Sequence, residues 1–367
     1  MLRLLCLIDT DDRNFYFQSA LRRLKMEFPD EICGECFSPM AVRMDKTKHA
    51  ALMKAADACD FAVVYFHGGC GNLPDFTEFW KRVTSHARCF FQSSLPEEIA
   101  ELMPASRLAP SEYQTLNDYF FRATEENCFN MLLWIAHGLF GVGKPALPYE
   151  EIPQAGLYVG GEISGAEAEK DYLRQACETK NPVIGMLIHR SYIQSGNTSA
   201  VDALIAALEK QGAFVLPVFS SLSSDSANAE SGVRFALERY FRPGGKEILN
   251  CIVVTTGFSL THIGYPDGGG NEFRSSVFET WDVPVLQAMA TRFTAEQYAE
   301  KTEGIDPMAL TSNVFQPEMD GQVISVPYAM CAQRDCEGIS RRMWEPMEER
   351  IAHLARLAMN FESLTRK

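Results

Sequence analysis

The sequence predicts an α/β protein with two doubly wound, mostly parallel-sheet domains and a C-terminal helix. Its 367 residues suit two domains, because a single domain averages about 150 residues. Short, continuously apolar runs recur along the chain, and such runs are typical of strands buried on both faces of a parallel sheet. Helix-length segments separate the runs, as the crossovers between parallel strands require.

The first predicted domain is a flavodoxin-like α/β domain covering residues 1–145. Continuous apolar runs predict strands at residues 2–8 and 61–66, and a third strand is expected at 88–92. A helical pattern follows the first strand, and helices are expected to fill residues 97–137. Strands should therefore alternate with helices throughout this domain.

The second predicted domain covers residues 146–340 and begins in a proline-rich linker at 144–153. A strand at residues 182–188, a helix at 198–211 and a strand at 214–219 are expected to form one βαβ unit. Such a unit should have a right-handed crossover.

The rest of the second half continues the alternation and then changes character. Patterns at residues 231–241, 252–256 and 283–287 predict a helix followed by two strands. Residues 341–366 are charged on one side and apolar on the other, so a C-terminal helix is predicted for 341–367.

Composition and charge exclude several classes of protein. Hydrophobic residues make up 46% and charged residues 22% of the chain, which argues against a disordered protein or a coiled coil. The net charge of −14 repels phosphate backbones and anionic lipids, so neither nucleic acid nor a membrane is an expected partner. The first apolar run is too short for a signal peptide, so a cytoplasmic location is expected.

One near-match to a phosphate-binding loop fails on its context. Residues 138–144 follow the G-x4-G-K pattern, but Pro145 stands where Ser or Thr must be. The preceding segment also has a helical pattern, whereas the motif requires a strand before the loop. We therefore expect no ATP hydrolysis by this chain alone.

Cysteine spacing predicts no zinc site. The chain has 11 cysteines, and the pairs Cys33/Cys36 and Cys331/Cys336 have tolerable spacing for a metal. The two pairs are far apart in the chain and have no nearby histidine, so free thiols and no metal ligands are expected.

His67, Gly68 and Gly69 come just past the end of the strand at 61–66. Open parallel sheets bind ligands at the carboxyl ends of their strands, and glycines allow a close approach to the backbone. These three residues are therefore predicted to contact a ligand. The alternative is a tight turn into the next helix, with a partly exposed histidine.

The same reasoning applies to His189, Arg190, Gly196 and Asn197, which follow the strand at 182–188. A guanidinium group beside backbone amides at a helix start suits a ligand carboxylate. The alternative is a helix cap with a solvated arginine.

Two later segments add candidate ligand-binding residues. The first segment contains Thr256, Gly257 and Phe258, at the end of the predicted strand at 252–256. A glycine-rich stretch follows at 264–270 and predicts a lid, an interaction loop or a surface insertion.

Glu318 and Asp320 place two carboxylates in a polar segment at 313–321. By itself this segment predicts a polar β-turn. Both carboxylates are counted among the candidate ligand-binding residues.

Taken in order, these segments resemble one family, which contains the large subunit of cobaltochelatase (CobN) and the H subunit of magnesium chelatase. The specific part of the resemblance runs from about residue 182 to residue 321. The segments that carry it are 182–190, 196–197, 201–205, 208–212, 216–219, 256–258, 282–287 and 317–321. Residues 68–69 and 156–158 fit more loosely.

The resemblance implies ATP-dependent insertion of cobalt or magnesium into a tetrapyrrole, as in cobalamin biosynthesis. In that family the large subunit holds the tetrapyrrole, and AAA+ partner subunits hydrolyse ATP. It follows that this chain itself would bind no cofactor. The family's large subunit is several times longer, so the expected role is that of its N-terminal part, with the remaining body as a partner. The resemblance assigns no catalytic residue to this chain.

Two other functions fit the sequence. A non-catalytic scaffold would bind a protein partner through its acidic surface and the stretch at 264–270. An intracellular small-molecule-binding protein would hold its ligand in a cleft between two α/β domains.

Overall fold

The computed structural model of the protein describes residues 1–221, 232–260, 276–302, 304–336 and 338–365. The glycine-rich stretch discussed above lies outside these ranges. No helix in the described part of the chain has both the length and the apolar character needed to cross a membrane.

The chain divides into two compact units, and each contains two hydrophobic cores. The first contains Met1–Ile152 and Arg334–Arg342, and the second contains Pro153–Gln333 and Met343–Lys367. The first boundary thus falls after Ile152, at the end of the proline-rich segment, rather than after residue 145.

The first unit has a four-stranded parallel sheet with the strand order β2-β1-β3-β4. Its strands are β1 Leu2–Ile8, β2 Ile32–Phe37, β3 Phe61–Phe66 and β4 Arg88–Ser93. Its helices are α1 Asp11–Glu27, α2 Pro39–Met44, α3 Lys46–Ala58, α4 Phe76–His86, α5 Pro96–Leu102, α6 Pro110–Phe121 and α7 Glu125–Leu133.

Alternating side chains of this sheet supply two cores, one on each face. In β1, Leu4 and Cys6 belong to the core that also contains Phe17, whereas Leu5 and Leu7 belong to the other core. A strand buried on both faces shows no polar alternation, which is why the apolar runs predicted β1, β3 and β4 correctly.

Strand β2 was not predicted, because most of its residues are partly exposed and it has no continuous apolar run. Only its first residue, Ile32, is fully buried. Cys33 and Cys36 both lie on this strand, three positions apart. Since successive side chains of a strand point to opposite faces, this spacing places the two thiols on opposite faces of the sheet.

The second unit contains a seven-stranded sheet with the order β12-β10-β9-β7-β8-β5-β6, and a second sheet with the order β11-β13-β14. Its strands are β5 Ala155–Val159, β6 Glu162–Ile163, β7 Val183–His189, β8 Phe214–Ser220, β9 Cys251–Val254, β10 Val285–Gln287, β11 Ala290–Thr291 and β12 Val323–Ile324. Strands β13 Ala329–Cys336 and β14 Ile339–Pro346 belong to it only in part, because Arg334–Arg342 is assigned to the first unit. Its helices are α8 Ala166–Glu178, α9 Arg190–Ser195, α10 Ser199–Lys210, α11 Gly232–Ala236, α12 Ala295–Glu300, α13 Pro307–Leu310, α14 Gln316–Met319 and α15 Glu348–Thr365.

In the large sheet, β12, β10, β9, β7 and β8 are parallel. Strands β5 and β6 extend the sheet in the antiparallel sense, with β5 pairing to β8. The predicted α/β class with mostly parallel sheets is therefore confirmed, and so is the βαβ unit β7-α10-β8. The helix predicted at 231–241 is present as α11 and a π-helical turn, Leu237–Phe241.

The prediction of a helix from residue 341 was wrong at its start. Residues Ile339–Pro346 form strand β14, and α15 begins at Glu348. Pro346 gives the physical reason, because proline lacks an amide hydrogen and breaks a helix when it lies inside one. From Glu348 onward the predicted amphipathic helix is present, with Ile351, Leu354 and Ala358 in the core.

Candidate functional site

Both units have the same arrangement of strands around one point. The chain passes from β1 to β2 on one side and then to β3 on the other, and it passes in the same way from β7 to β8 and then to β9. The carboxyl ends of β1 and β3, and those of β7 and β9, therefore flank topological switch points. Open α/β sheets bind ligands at such points, and the predicted loops after β3, β7 and β9 all lie there.

In the first unit, the loop after β3 is held by acceptors from neighbouring strand ends. The backbone N–H of His67 donates to Oδ2 of Asp9 at 3.0 Å, and the amide of Asn72 donates to the same oxygen at 2.9 Å. The N–H of Gly68 donates to Oγ of Ser94 at 2.8 Å. These donors are occupied by the protein itself, while the side chain of His67 is exposed.

A second acceptor, Glu98, fixes the other half of this loop. Its carboxylate accepts from the N–H of Cys70 at 2.9 Å, from the Cys70 thiol at 3.3 Å and from the Ser93 hydroxyl at 2.7 Å. Burial, and then the nearby Glu98, raises the pKa of the Cys70 thiol. Gly69 has φ 97°, a conformation that favours glycine. The alternative of a tight, internally bonded turn thus describes this loop well.

In the second unit, His189 begins helix α9. Its Nδ1 accepts from the backbone N–H of Ser191 at 3.1 Å, which caps the helix. Burial, and then the charge of Arg190, lowers the pKa of His189 to about 4. The imidazole is therefore neutral near pH 7, in the form that accepts a hydrogen bond.

Arg190 is not the solvated cation of the alternative interpretation, and its contact with a ligand stays a prediction. Its side chain is buried, with Nε donating to the carbonyl of Pro153 at 2.9 Å and a terminal nitrogen donating to Gln194 at 3.0 Å. No local pattern in the sequence indicates this role, because Pro153 is 37 residues away in the chain.

Gly196 and Asn197 also hold the fold together. Gly196 ends α9 with φ 65°. Asn197 is buried, and its Oδ1 accepts from the N–H of Trp344 at 2.9 Å. The amide of Asn197 thereby connects the loop after α9 to strand β14.

The loop after β9 exposes an aromatic ring. Phe258 has φ 69° although it is not glycine, and its side chain is 54% exposed. Its N–H donates to the carbonyl of Ser312 at 2.5 Å. A side chain added at Gly257 would collide with Asn313, so the helical segment at 311–319 packs closely on this loop.

Asp320 stabilises the turn that contains Phe258, which we call the Phe258 turn. The carboxylate is buried and accepts from the Ser259 hydroxyl at 2.8 Å and from the Leu260 N–H at 2.6 Å. Glu318, two residues earlier, is exposed. The two carboxylates that the sequence grouped together therefore differ, since Asp320 positions the turn and only Glu318 faces solvent.

Two buried oxygens at this edge have no hydrogen-bond partner in the described part of the chain. They are Oγ1 of Thr256 and Oε1 of Gln287, whose Nε2 donates to the Thr256 carbonyl at 2.9 Å. A buried polar atom without a partner costs about 1–3 kcal/mol. A water molecule or a polar ligand group at the ends of β9 and β10 would supply the hydrogen bond that each oxygen lacks.

The surroundings of the phosphate-loop near-match differ from those that the motif requires. Residues Trp134–Leu139 form a π-helical turn that continues α7, so a helix rather than a strand leads into the glycines. Lys144 pairs with Glu27 at 2.6 Å. Among the described residues, no group of three or more His, Cys, Asp or Glu side chains could hold a metal ion.

Comparisons with known proteins identify the family. The sequence model described as CobN/Magnesium Chelatase matches residues 117–367, more than half of the chain. The aerobic cobaltochelatase subunit CobN of Sinorhizobium sp is 26% identical over 273 residues, which is 72% of this chain and 20% of that protein. The H subunit of magnesium chelatase from Cereibacter sphaeroides is 29% identical over 231 residues, 59% of this chain and 18% of that protein.

A solved structure shows the same fold. The catalytic subunit of cobaltochelatase from Mycobacterium tuberculosis matches 100% of this chain and 28% of its own length, with a TM-score of 0.60 and 19% identity. The chain thus spans about a fifth of the curated relatives it matches. From the sequence match and the shared fold together, the chain belongs to the CobN/magnesium chelatase family as a homologue of the chelatase large subunit.

Proposed function

We propose that this chain binds a tetrapyrrole and acts as the N-terminal part of a chelatase large subunit. The reaction would be ATP-dependent insertion of cobalt or magnesium, as in cobalamin biosynthesis. AAA+ partner subunits would hydrolyse ATP, and the remaining body of the large subunit would complete the metal-insertion site. This chain would itself hold no cofactor, and the assembly would work in the cytoplasm.

The observation that carries this proposal is the Phe258 turn. An aromatic ring is held out to solvent, in a backbone conformation that costs a non-glycine residue on the order of 1 kcal/mol. The buried carboxylate of Asp320 maintains it. Phe315 and Met319, on the helical segment that packs on this turn, are 53% and 68% exposed. Exposed rings of this kind suit the flat, apolar face of a macrocycle.

Phe258→Gly tests the proposal by separating binding from stability. The change removes the ring and relieves the positive φ, so stability should stay within about 1 kcal/mol of the wild type. Affinity for deuteroporphyrin IX or hydrogenobyrinic acid a,c-diamide should fall roughly three- to tenfold, the contribution of one aromatic contact. Quenching of tryptophan fluorescence measures the affinity.

Phe121→Ala is the matched control. Phe121 ends helix α6 in the first unit and is also 54% exposed, so its loss should leave tetrapyrrole affinity unchanged. If the wild-type chain bound neither tetrapyrrole, even with the large-subunit body and AAA+ partners added, the proposal would be wrong.

A further inference from the structure

A cleft of about 540 Å³ lies beside the first turns of helix α15. That volume is within the range of about 300–1,000 Å³ typical of small-molecule sites. The side chains that line it are Val326, Glu349, Arg350, Ala352, His353 and Arg356.

The cleft lies at the edge of the sheet where ligands are expected. Val326 comes two residues after the carboxyl end of β12. The N–H of Met347, just before α15, donates to the carbonyl of Tyr328, and the N–H of Tyr328 donates to the carbonyl of Met289, just past β10. Helix α15 therefore starts at the carboxyl ends of these parallel strands, the same edge of the sheet from which the Phe258 turn emerges after β9.

The side chains that line the cleft are mostly basic, although the whole chain has a net charge of −14. Arg350, His353 and Arg356 recur at every third position, so they lie along one side of α15 over about 9 Å. Glu349 is the one acidic side chain among the lining residues.

Two other arginines of this unit, Arg239 and Arg242, have acidic partners on the protein. Arg239 pairs with Glu169 at 2.6 Å, and Arg242 pairs with Glu238 at 3.1 Å. Arg350 and Arg356 instead face a cleft that also contains the apolar side chains of Val326 and Ala352. A guanidinium group binds a carboxylate through paired N–H donors, and the apolar wall suits the carbon skeleton that bears the acid.

We propose that this cleft binds the peripheral carboxylates of a tetrapyrrole, with Arg350 and Arg356 as the carboxylate-binding residues. The choice of ligand rests on the proposed function, since tetrapyrrole acids are planar molecules with carboxylates at their rim. Two carboxylates separated by about the distance between the arginines would meet one guanidinium group each.

The test compares deuteroporphyrin IX with its dimethyl ester, both in dilute non-ionic detergent, by tryptophan fluorescence quenching. The wild-type chain should bind the diacid more tightly than the ester. In the double variant Arg350→Gln/Arg356→Gln, affinity for the diacid should fall on the order of five- to tenfold, with the ester unaffected. Lys170→Gln, which removes an exposed charge from helix α8, should change neither affinity.

Glu349→Gln provides a second variant with the opposite expected sign. It removes the one carboxylate of the lining, so the diacid should bind roughly two- to threefold more tightly. Circular dichroism of each variant checks that it is folded.

The outcomes separate this inference from the proposed function. Equal affinity of the wild type for diacid and ester would overturn the cleft assignment and leave tetrapyrrole binding intact. The cleft assignment would also be overturned if the double variant bound the diacid as tightly as the wild type does. Failure of the wild type to bind either compound, even with the large-subunit body and AAA+ partners added, would overturn both.

Discussion

At the scale of single residues, two carboxylates hold the strand-end loops of the two units. Glu98 and Asp320 each accept hydrogen bonds from a backbone amide and from a hydroxyl group. Hydrogen bonds to a charged group contribute about 1.5–3 kcal/mol each. The loops after β3 and β9 therefore owe their shapes to residues that lie 28 and 60 positions away in the chain.

Gly69→Ala tests how closely the first loop is packed. An added Cβ would come within 2.8 Å of Leu95 and 2.9 Å of Glu98, at a φ of 97°. We expect the free energy of unfolding to fall by about 1–3 kcal/mol. Gly71→Ala is the matched control, because nothing lies within 4 Å of its Cβ position. Urea denaturation measures both, and equal stability of the two variants would contradict this account.

Asp12 gives a pH-dependent prediction. Burial raises its pKa to about 6, against the attraction of Arg341. A raised carboxyl pKa favours the folded state at low pH, and that contribution is lost as pH rises from about 4 through 6. At pH 7.5, Asp12→Asn should therefore be more stable than the wild type, by up to on the order of 2 kcal/mol.

The measurement for Asp12 is the melting temperature of both proteins between pH 4 and pH 7.5. The advantage of the variant should shrink as pH falls below 6. An advantage that stayed constant across this range would show that the carboxyl group does not titrate in it.

At the scale of elements, His189 at the start of helix α9 makes the stability of the folded chain depend on pH. Its depressed pKa of about 4 means that folding excludes a proton that the unfolded chain binds below pH 6.5. The wild type should therefore lose on the order of 2–3 kcal/mol as pH falls from 6.5 to 4. His189→Asn keeps a side-chain acceptor suited to a helix start and removes the titration.

Urea denaturation at pH 7.5, 5.5 and 4.5 compares His189→Asn with the wild type. The variant should lose less stability between the first and last values. Parallel losses in the two proteins would assign the pH dependence to other groups.

The elements also show where sequence patterns suffice and where they fail. Strands β1, β3, β7 and β8 are buried on both faces, so continuous apolar runs predicted them. Strands β2 and β14 each have a single buried residue, Ile32 and Ile339. A run of partly exposed residues has no single periodicity, so β2 was not predicted and part of β14 was predicted to be a helix.

At the scale of the whole molecule, both units repeat the strand order of a doubly wound sheet. The predicted ligand-binding residues all come from one kind of place, the loops beyond parallel strands, or from segments that pack on those loops. His67, Gly68 and Gly69 belong to the first unit, and the others belong to the second. The sheet order thus places the predicted loops beyond the carboxyl ends of parallel strands, and their contact with a ligand stays a prediction.

The roles of the polar side chains in those loops were less predictable from the sequence than the positions of the loops. Arg190, Asn197 and Asp320 were expected near a ligand, and the structure uses all three to hold its own backbone. Arg350 and Arg356 were noted only as part of a charged helix, yet they line a cleft. A side chain's role depends on neighbours that are distant in the chain, and spacing along the sequence does not report them.

By itself, the sequence determined the α/β class, the buried strands, the loops at their carboxyl ends and the family. These follow from local hydrophobic patterns and from motif order, both of which are written along the chain. Only the tertiary structure decided which polar side chains are buried and bonded and which face a cleft, because those outcomes depend on pairs such as Asp320 with Leu260. Burial in particular lowers the pKa of His189 and raises the pKa of Asp12, and it exists only once the chain has folded.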